Sequence, residues 1–404
     1  MKTCVYRISD ICSIKSGKRL PEGFDFSVEP TKYKYIRSRD IKAGKICLEE
    51  VAFIDEETKK RINRYIINAG DVAITIVANI GDIGYATQDC DGMNLTENAI
   101  RLTGFDKSIV FSKFLSYYLS QPSMKQYMEN LAAGAAQAKL GIYKIEKMKV
   151  QLPDVSIQKA VVDIIEKFDN LIEVNNKRIK VLETMTENLY KEWFVRFRFP
   201  GHETAGFENG IPKGWIACRF SSIANVLSGG TPSTEHDEYY GGNIPFYTPK
   251  DSSDDYFVFD TISSLTEEGL RHCNSRLYPP NTIMITARGT VGNLNLLAKP
   301  MAMNQSCYAL TSNSIPSQYF LFFLIKREIL KLRKMASGGV FDTIIVSTFD
   351  HIKVAVPDVS LIMSFDRLVS PILDETYTLL EQNRNLIRQR DLLLPRLMSG
   401  KLEV

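Results

Sequence analysis

Residues 147–159 read KMKVQLPDVSIQK, and residues 351–363 read HIKVAVPDVSLIM. Pro153 and Pro357 stand 204 positions apart, and further pairs keep roughly that spacing in the same order. Residues 70–75 (GDVAIT) answer 280–286 (PNTIMIT), MNLTENAIRL from Met93 answers MNQSCYAL from Met303, and Ser16-Gly17-Lys18 answers Ser228-Gly229-Gly230. Repetition at so long a period makes each half one structural unit, so the chain reads as a duplication.

Working outward from the two Pro-Asp corners, each half has the same internal order. A mixed segment of about 150 residues comes first, with short β-type runs (72–77 and 283–286) punctuated by Gly, Pro, Asn and Asp. A short strand follows (148–152; 352–356) and ends at Pro-Asp. A long helix comes next, with Asp154 or Ser156, and Asp358 or Ser360, as N-caps whose short side chains accept from free first-turn amides.

Both helices carry apolar residues seven apart. The first series is Val161, Phe168, Asn175, Leu182 and Leu189; the second is Phe365, Ile372, Leu379, Leu386 and Leu393. Ile164, Leu171 and Met185 are read as a second stripe on the first helix. A seven-residue repeat keeps one seam facing a partner helix, so the two helices are expected to pair as a coiled coil about 60 Å long. Asn175 within the seam would fix the register at some cost in stability. Antiparallel pairing would close the chain on itself and relate the halves by a pseudo-twofold axis, a symmetry that suits duplex DNA with a two-part target.

The expected fold class is α/β (α+β), with two similar globular domains separated by two long antiparallel helices. The boundaries are 1–153 for the first globular domain and 154–198 for the central helix. The second globular domain spans 199–357, and the distal helix and tail span 358–404.

Composition sets the outer limits. The 404 residues are 44% hydrophobic and 24% charged, as in an ordinary folded protein of more than one domain. No apolar run is long enough to span a membrane and the opening MKTCVYRISD is polar, so no membrane role and a cytoplasmic location are expected. Seven scattered cysteines (4, 12, 47, 90, 218, 273, 307) form no CxxC pair, and reduced buried thiols are the simpler reading. The net charge is +3; residues 1–150 hold 23 basic against 18 acidic residues, and 200–355 hold 13 against 14. A DNA-binding surface would therefore rest on local clustering rather than overall basicity.

Catalytic constellations are not found in the sequence. His202, His236, His272 and His351 are far apart, without metal-ligand spacing. Residues 81–86 (GDIGYA) lack the spacing of a dinucleotide loop. Tyr278-Pro279-Pro280-Asn281 has the composition of an adenine-methyltransferase motif in reversed order, and reads as a turn.

Residues 189–203 (LYKEWFVRFRFPGHE), followed by IPKGW at 211–215, resemble the junction after the central conserved helix of Type I restriction–modification specificity (HsdS) subunits. The ending LLLPRLMSGKLEV (392–404) resembles the end of that family's distal helix, and SGGTPS at 228–233 and the Asn-Gln of MNQSC recur in its recognition domains. The resemblance covers essentially the whole chain. It implies a DNA-binding subunit that is not an enzyme and carries no cofactor, each recognition domain reading one half of a bipartite target in double-stranded DNA. It further implies two methyltransferase (M) subunits holding S-adenosylmethionine, and restriction (R) subunits using ATP and Mg where present. The first half departs from the pattern in having Val5-Tyr6-Arg7 where the second has Gly214-Trp215-Ile216. It also has Ile36-Arg37-Ser38-Arg39-Asp40 where the second has Tyr247-Thr248-Pro249-Lys250-Asp251. Different half-sites would produce such divergence.

Base edges are read by Arg, Lys, Asn and Gln, and phosphates by basic and hydroxyl groups. On that chemistry the first-half candidates are Lys18, Arg19, Arg37, Arg39, Asn79, Asn94, Asn98, Gln137 and Lys139, the last two after the small-residue turn 132–138. The second-half candidates are Thr231, Thr248, Lys250, Arg288, Thr290, Asn304, Gln305 and Ser337, with Arg288 in the loop ARGTVGN the foremost. The basic run 326–334 is read as the outer face of a helix with Ile325, Ile329 and Leu332 inward, and as a lesser candidate to line DNA. Two rival functions remain: a coiled-coil scaffold that never reads DNA, and a self-contained methyltransferase or nuclease.

Overall fold

Two short strands pair at the root of each recognition domain, closing it where it meets a long helix. Thr3–Arg7 runs antiparallel to Lys149–Pro153, and Ile216–Arg219 runs antiparallel to Lys353–Val356. The computed structural model describes residues 2–133, 138–335 and 343–402, without the side chains of residues 333–335. Gln137 and Ser337 lie outside the described residues.

The first domain holds a six-stranded sheet in the order Ser13–Ser16, Ala99–Thr103, Val72–Thr75, Ile83–Tyr85, Gly44–Ile46, Ile41–Lys42. A four-stranded sheet runs Ala52–Ile54, Tyr33–Ile36, Met93–Leu95, Ile66–Ile67. The second domain repeats the plan with a five-stranded sheet and a three-stranded one. Its five strands run Ala224–Ser228, Cys307–Ser312, Ile283–Thr286, Leu294–Leu297, Phe257–Val258. Both sheets of each domain mix parallel and antiparallel pairs. Val72–Thr75 and Ile283–Thr286 are buried at every position, as central strands covered on both faces must be.

Both long helices are 40 residues, Val155–Phe194 and Val359–Met398. Each starts one residue after its Pro-Asp corner, so the aspartates and not the serines stand at the N-caps. Asp358 Oδ1 accepts from the Leu361 amide at 3.0 Å. At the first corner Gln158 locks the entry: its Oε1 accepts from the Phe111 amide at 2.8 Å, and its Nε2 donates to the Ile109 and Pro153 carbonyls.

Contacts divide the chain into two compact units, residues 1–171 with 386–404 and residues 172–385. In the second unit the helices run antiparallel, since Asn175 meets Asn383 while Arg178 meets Glu375. Val161, Asn175, Phe365 and Leu379 are buried, and Phe168, Leu182, Leu189, Ile372, Leu386 and Leu393 are half-buried. The second stripe differs from expectation. Ile165, Ile172, Ile179, Thr186 and Trp193 are the buried seven-residue series, whereas Leu171 and Met185 are exposed and Ile164 is only half-buried. From Val161 the second seam position falls four residues on, not three, because a heptad alternates steps of four and three.

Asn175 Nδ2 donates to Asn383 Oδ1 at 3.0 Å, and Asn383 Nδ2 donates to Asn176 Oδ1 at 2.7 Å. A buried amide left without its partner costs about 1–3 kcal/mol. Asn175→Leu is therefore expected to lower the denaturation midpoint, and the double change Asn175→Leu with Asn383→Leu to recover it. Denaturant titration of the three chains checks this.

The cysteines are all free thiols, but only Cys12, Cys90 and Cys307 are buried. Cys4 is exposed on the Thr3–Arg7 strand, contrary to the expectation of uniformly buried thiols. Burial pushes Cys12 and Cys307 up to about 12, which keeps them protonated and unreactive.

Candidate nucleic-acid interface

In each domain the strand ends and hairpin tips that carry most of the candidate residues are stitched together by backbone hydrogen bonds. In the first, the Lys18 amide donates to the Leu95 carbonyl (2.8 Å) and the Thr96 amide to Ile36 (3.0 Å). The Ile76 amide donates to Asn98 (2.8 Å), and the Leu140 amide to Ile76 (3.0 Å). The second domain repeats these bonds: Gly230 to Met303 (3.2 Å), Asn304 to Tyr247 (3.0 Å), Ala287 to Ser306 (2.8 Å) and Ile344 to Ala287 (3.0 Å).

The tips match in detail. Thr75 Oγ1 donates to the Asn79 carbonyl while the Gly81 amide donates back to Thr75. Thr286 Oγ1 donates to the Thr290 carbonyl, and the Gly292 amide to Thr286. Ala78 and Gly289 both take a positive φ at these tips. Gly17 and Gly229 match as well. A Cβ on Gly17 would lie 2.0 Å from the Thr96 carbonyl oxygen, and one on Gly229 would lie 2.3 Å from that of Asn304. Only glycine lets these backbones approach so closely.

This register corrects one sequence match. Asn94 and Leu95 pair with Tyr35 and Ile36, while Ala302 and Met303 pair with Phe246 and Tyr247. Asn94 therefore occupies the place of Ala302, two residues from the alignment that set Met93 against Met303. It is fully buried, and its Nδ2 donates to the Ile62 and Tyr65 carbonyls (2.8 and 3.2 Å), so it holds the fold and is withdrawn from the reading surface. Thr96-Glu97-Asn98 are the true counterparts of Asn304-Gln305-Ser306.

Other candidates separate into spent and available groups. Arg37 grips Asp40 with Nε and Nη2 (both 3.0 Å) and also meets the Glu50 carbonyl, so its fork closes a turn. Thr248 does the same work opposite, its amide and hydroxyl both donating to Asp251 Oδ2 (2.8 and 2.7 Å). Arg39 and Lys250, two residues on in each turn, stay exposed. Exposed too are Lys18, Arg19, Asn79, Lys139, Thr231, Arg288, Thr290 and Gln305, with Asn98 and Asn304 half-exposed. Lys139 bridges Val77, and Thr231 Oγ1 donates to Gln305 Oε1. Asn281, in the reversed Tyr-Pro-Pro-Asn tract, has φ 63° and forms a turn with its amide on the Leu297 carbonyl (2.8 Å).

The basic run belongs to the helix Gln318–Met335. Ile325 and Ile329 are buried and Leu332 half-buried, as the periodicity predicts. Lys326 is committed within the fold: its Nζ lies 2.8 Å from Glu187 and 4.0 Å from the Tyr256 ring centroid. Tyr256 Oη donates to Glu187 Oε1 at 2.9 Å, so this cluster ties the second domain to the central helix. Burial pushes the neighbouring Glu183 from 4.5 up to about 7, against the pull of Lys326. Its folded form favours the proton, so this stabilising contribution is full below about pH 4.5 and is lost as pH rises through about 7. Glu183→Gln is expected to match the native chain at about pH 4 and to exceed it at about pH 8 by about 1–3 kcal/mol after solvent screening. Denaturation at the two pH values measures the difference.

Each unit thus carries a mixed-sheet module with a cluster of exposed polar and basic loops. The chain belongs to the family described as the Type I restriction modification DNA specificity domain, whose model matches residues 2–184 and again 212–385. The HindI specificity subunit of Haemophilus influenzae is 24% identical over 469 aligned positions, covering 98% of this chain and 99% of that protein. The MjaIX specificity subunit of Methanocaldococcus jannaschii is 24% identical over 359 positions, covering 87% and 82%. Among solved structures, the Type I S subunit from M. genitalium shares the fold with a TM-score of 0.59 at 16% identity, over 98% of this chain and 96% of that one. Among the described residues no helix is long and apolar enough to cross a membrane.

Proposed function

We propose that this chain is the DNA-reading subunit of a Type I restriction–modification assembly and performs no chemistry itself. Each recognition domain reads one half of a bipartite duplex target, and the paired helices set the unread gap. Two M subunits supply S-adenosylmethionine and methylate adenine; R subunits, where present, supply ATP- and Mg-dependent cleavage. The observation that carries this reading is the loop cluster built twice, bond for bond, with different side chains at matched positions: Arg39 against Lys250, Asn79 against Thr290, Glu97 against Gln305. A scaffold that never read DNA would need neither the duplication nor the divergence.

The central helix supports a platform for partners. Val174, Val181 and Met185 are about half exposed (51, 58 and 51%) at steps of seven and four, an apolar stripe facing away from the seam. Helices of a partner subunit could bury such a stripe.

The test is single-molecule sequencing of adenine methylation in cells with and without the gene. Loss of one two-part motif with an unspecified gap supports the reading; an unchanged methylome in cells expressing all subunits refutes it. Arg288→Ala, at an exposed tip before Gly289, is expected to weaken binding at one half-site only. Removing one good base contact costs about 1–3 kcal/mol, and equal affinity with an unchanged motif would take Arg288 off the surface.

A further inference from the structure

Register, not sequence similarity, pairs Glu97 with Gln305. The Thr96 amide donates to the Ile36 carbonyl as the Asn304 amide donates to that of Tyr247, and the Ala99 and Cys307 amides donate to the carbonyls of residues 96 and 304 to close the same turn (3.2 and 3.3 Å). Each side chain is held by a neighbouring hydroxyl. Thr96 Oγ1 donates to Glu97 Oε2 at 3.0 Å, and Thr231 Oγ1 donates to Gln305 Oε1. Glu97 is half-exposed and Gln305 exposed.

What remains to offer is opposite in kind. Glu97 is a carboxylate with acceptors alone, its second oxygen turned to no donor of its own loop among the described bonds. Gln305 has its oxygen occupied and an amide NH2 left to donate. A carboxylate cannot serve as a phosphate contact, because the DNA backbone carries negative charge throughout. At a duplex-facing loop it either accepts from a base amino group or repels the duplex. In the major groove the amino donors are cytosine N4 and adenine N6; adenine sets its N7 acceptor beside the amino group, where it would face the carboxylate, so cytosine N4 is the donor that Glu accepts from.

Resting on the DNA-reading function proposed above, we infer that Glu97 and Gln305 are matched specificity positions: Glu97 selects a cytosine in one half-site, and Gln305 selects a base presenting an acceptor in the other. The pair accounts for one difference between the two half-sites by one exchange of oxygen for NH2 at the same place in the fold.

The experiment uses the whole chain assembled with its M subunits, and sequences adenine methylation directed by the native chain, Glu97→Gln and Gln305→Glu. Glu97→Gln is expected to change the preferred base at a single position of one half-site, with the other half-site and the gap unaltered. Gln305→Glu is expected to do the reverse, and each position to lose a preference of roughly tenfold. If a variant directs no methylation, the purified complex is titrated with duplexes carrying each of the four bases at every half-site position. A flattened or redirected preference at one position supports the inference. An unchanged motif, or a preference profile identical to that of the native complex, overturns it while leaving the DNA-reading function standing. A native complex that directs no bipartite motif overturns both.

Discussion

Phe194→Ala is expected to destabilise the second unit by about 3–5 kcal/mol, the cost of emptying a buried aromatic site. Phe194 is 4% exposed and lies at the end of the central helix. Its ring centroid sits 4.9 Å from Phe320, 5.1 Å from Phe365, 5.2 Å from Tyr190 and 6.0 Å from Trp215. Phe320 comes from the recognition domain, Phe365 from the start of the distal helix and Trp215 from the segment that follows the central helix, while Tyr190 stands one turn back on the central helix itself. One side chain therefore holds three segments, and its loss leaves a cavity that none of them can close alone. Denaturant unfolding measures the cost, and limited proteolysis locates it: cleavage within residues 199–357 should precede cleavage within 1–153. Unfolding unchanged to within 1 kcal/mol would show that the aromatic cluster closes over the gap, against the packing argument.

Arg101→Ala is expected to cost the first domain a comparable amount, about 3–5 kcal/mol, because it leaves a buried carboxylate unpaired. Arg101 Nη1 lies 2.7 Å from Asp71 Oδ2, with the side chains 12% and 6% exposed. The duplication supplies the control. Ladder register places Thr282 and Ala309 of the second domain where the first has Asp71 and Arg101, and both are buried without charge. The double change Asp71→Thr with Arg101→Ala copies that solution and is expected to recover most of the loss. If the double variant were as unstable as the single one, the cost would lie in Arg101's packing rather than in the stranded charge. A thermal melt of the three chains distinguishes the two.

The aromatic junction tract at 189–215 is structural. Trp193, Phe194 and Trp215 are buried, Phe197 and Phe199 half-buried, and these five rings meet in edge-on and tilted contacts along the segment that leads out of the central helix. The tract that carried the family resemblance thus belongs to the hydrophobic core of the second unit.

Duplication, the order of strand, corner and helix, and the buried helix positions Val161, Asn175, Phe365 and Leu379 were legible in the residues themselves. These features depend on near neighbours in the chain: a heptad is a local periodicity, and an aspartate before a helix caps the amides that follow it. The second seam, starting at Ile165 rather than Ile164, was misread because steps of three and four are equally helical and only the partner helix chooses between them. The reading surface was legible as a set of loops but not residue by residue. Arg37 and Arg39 are alike in sequence, yet Asp40 holds the first through two bonds of 3.0 Å and meets the second only at 3.9 Å, leaving the Arg39 side chain 65% exposed. A slip of two residues in a strand keeps every side chain on its own face, so the hydrophobic pattern could not reveal that Asn94 belongs with Ala302. Sequence alone determined what repeats locally and which elements form; the tertiary structure decided which polar groups are spent on the fold and which are left over, because that depends on partners far away in the chain.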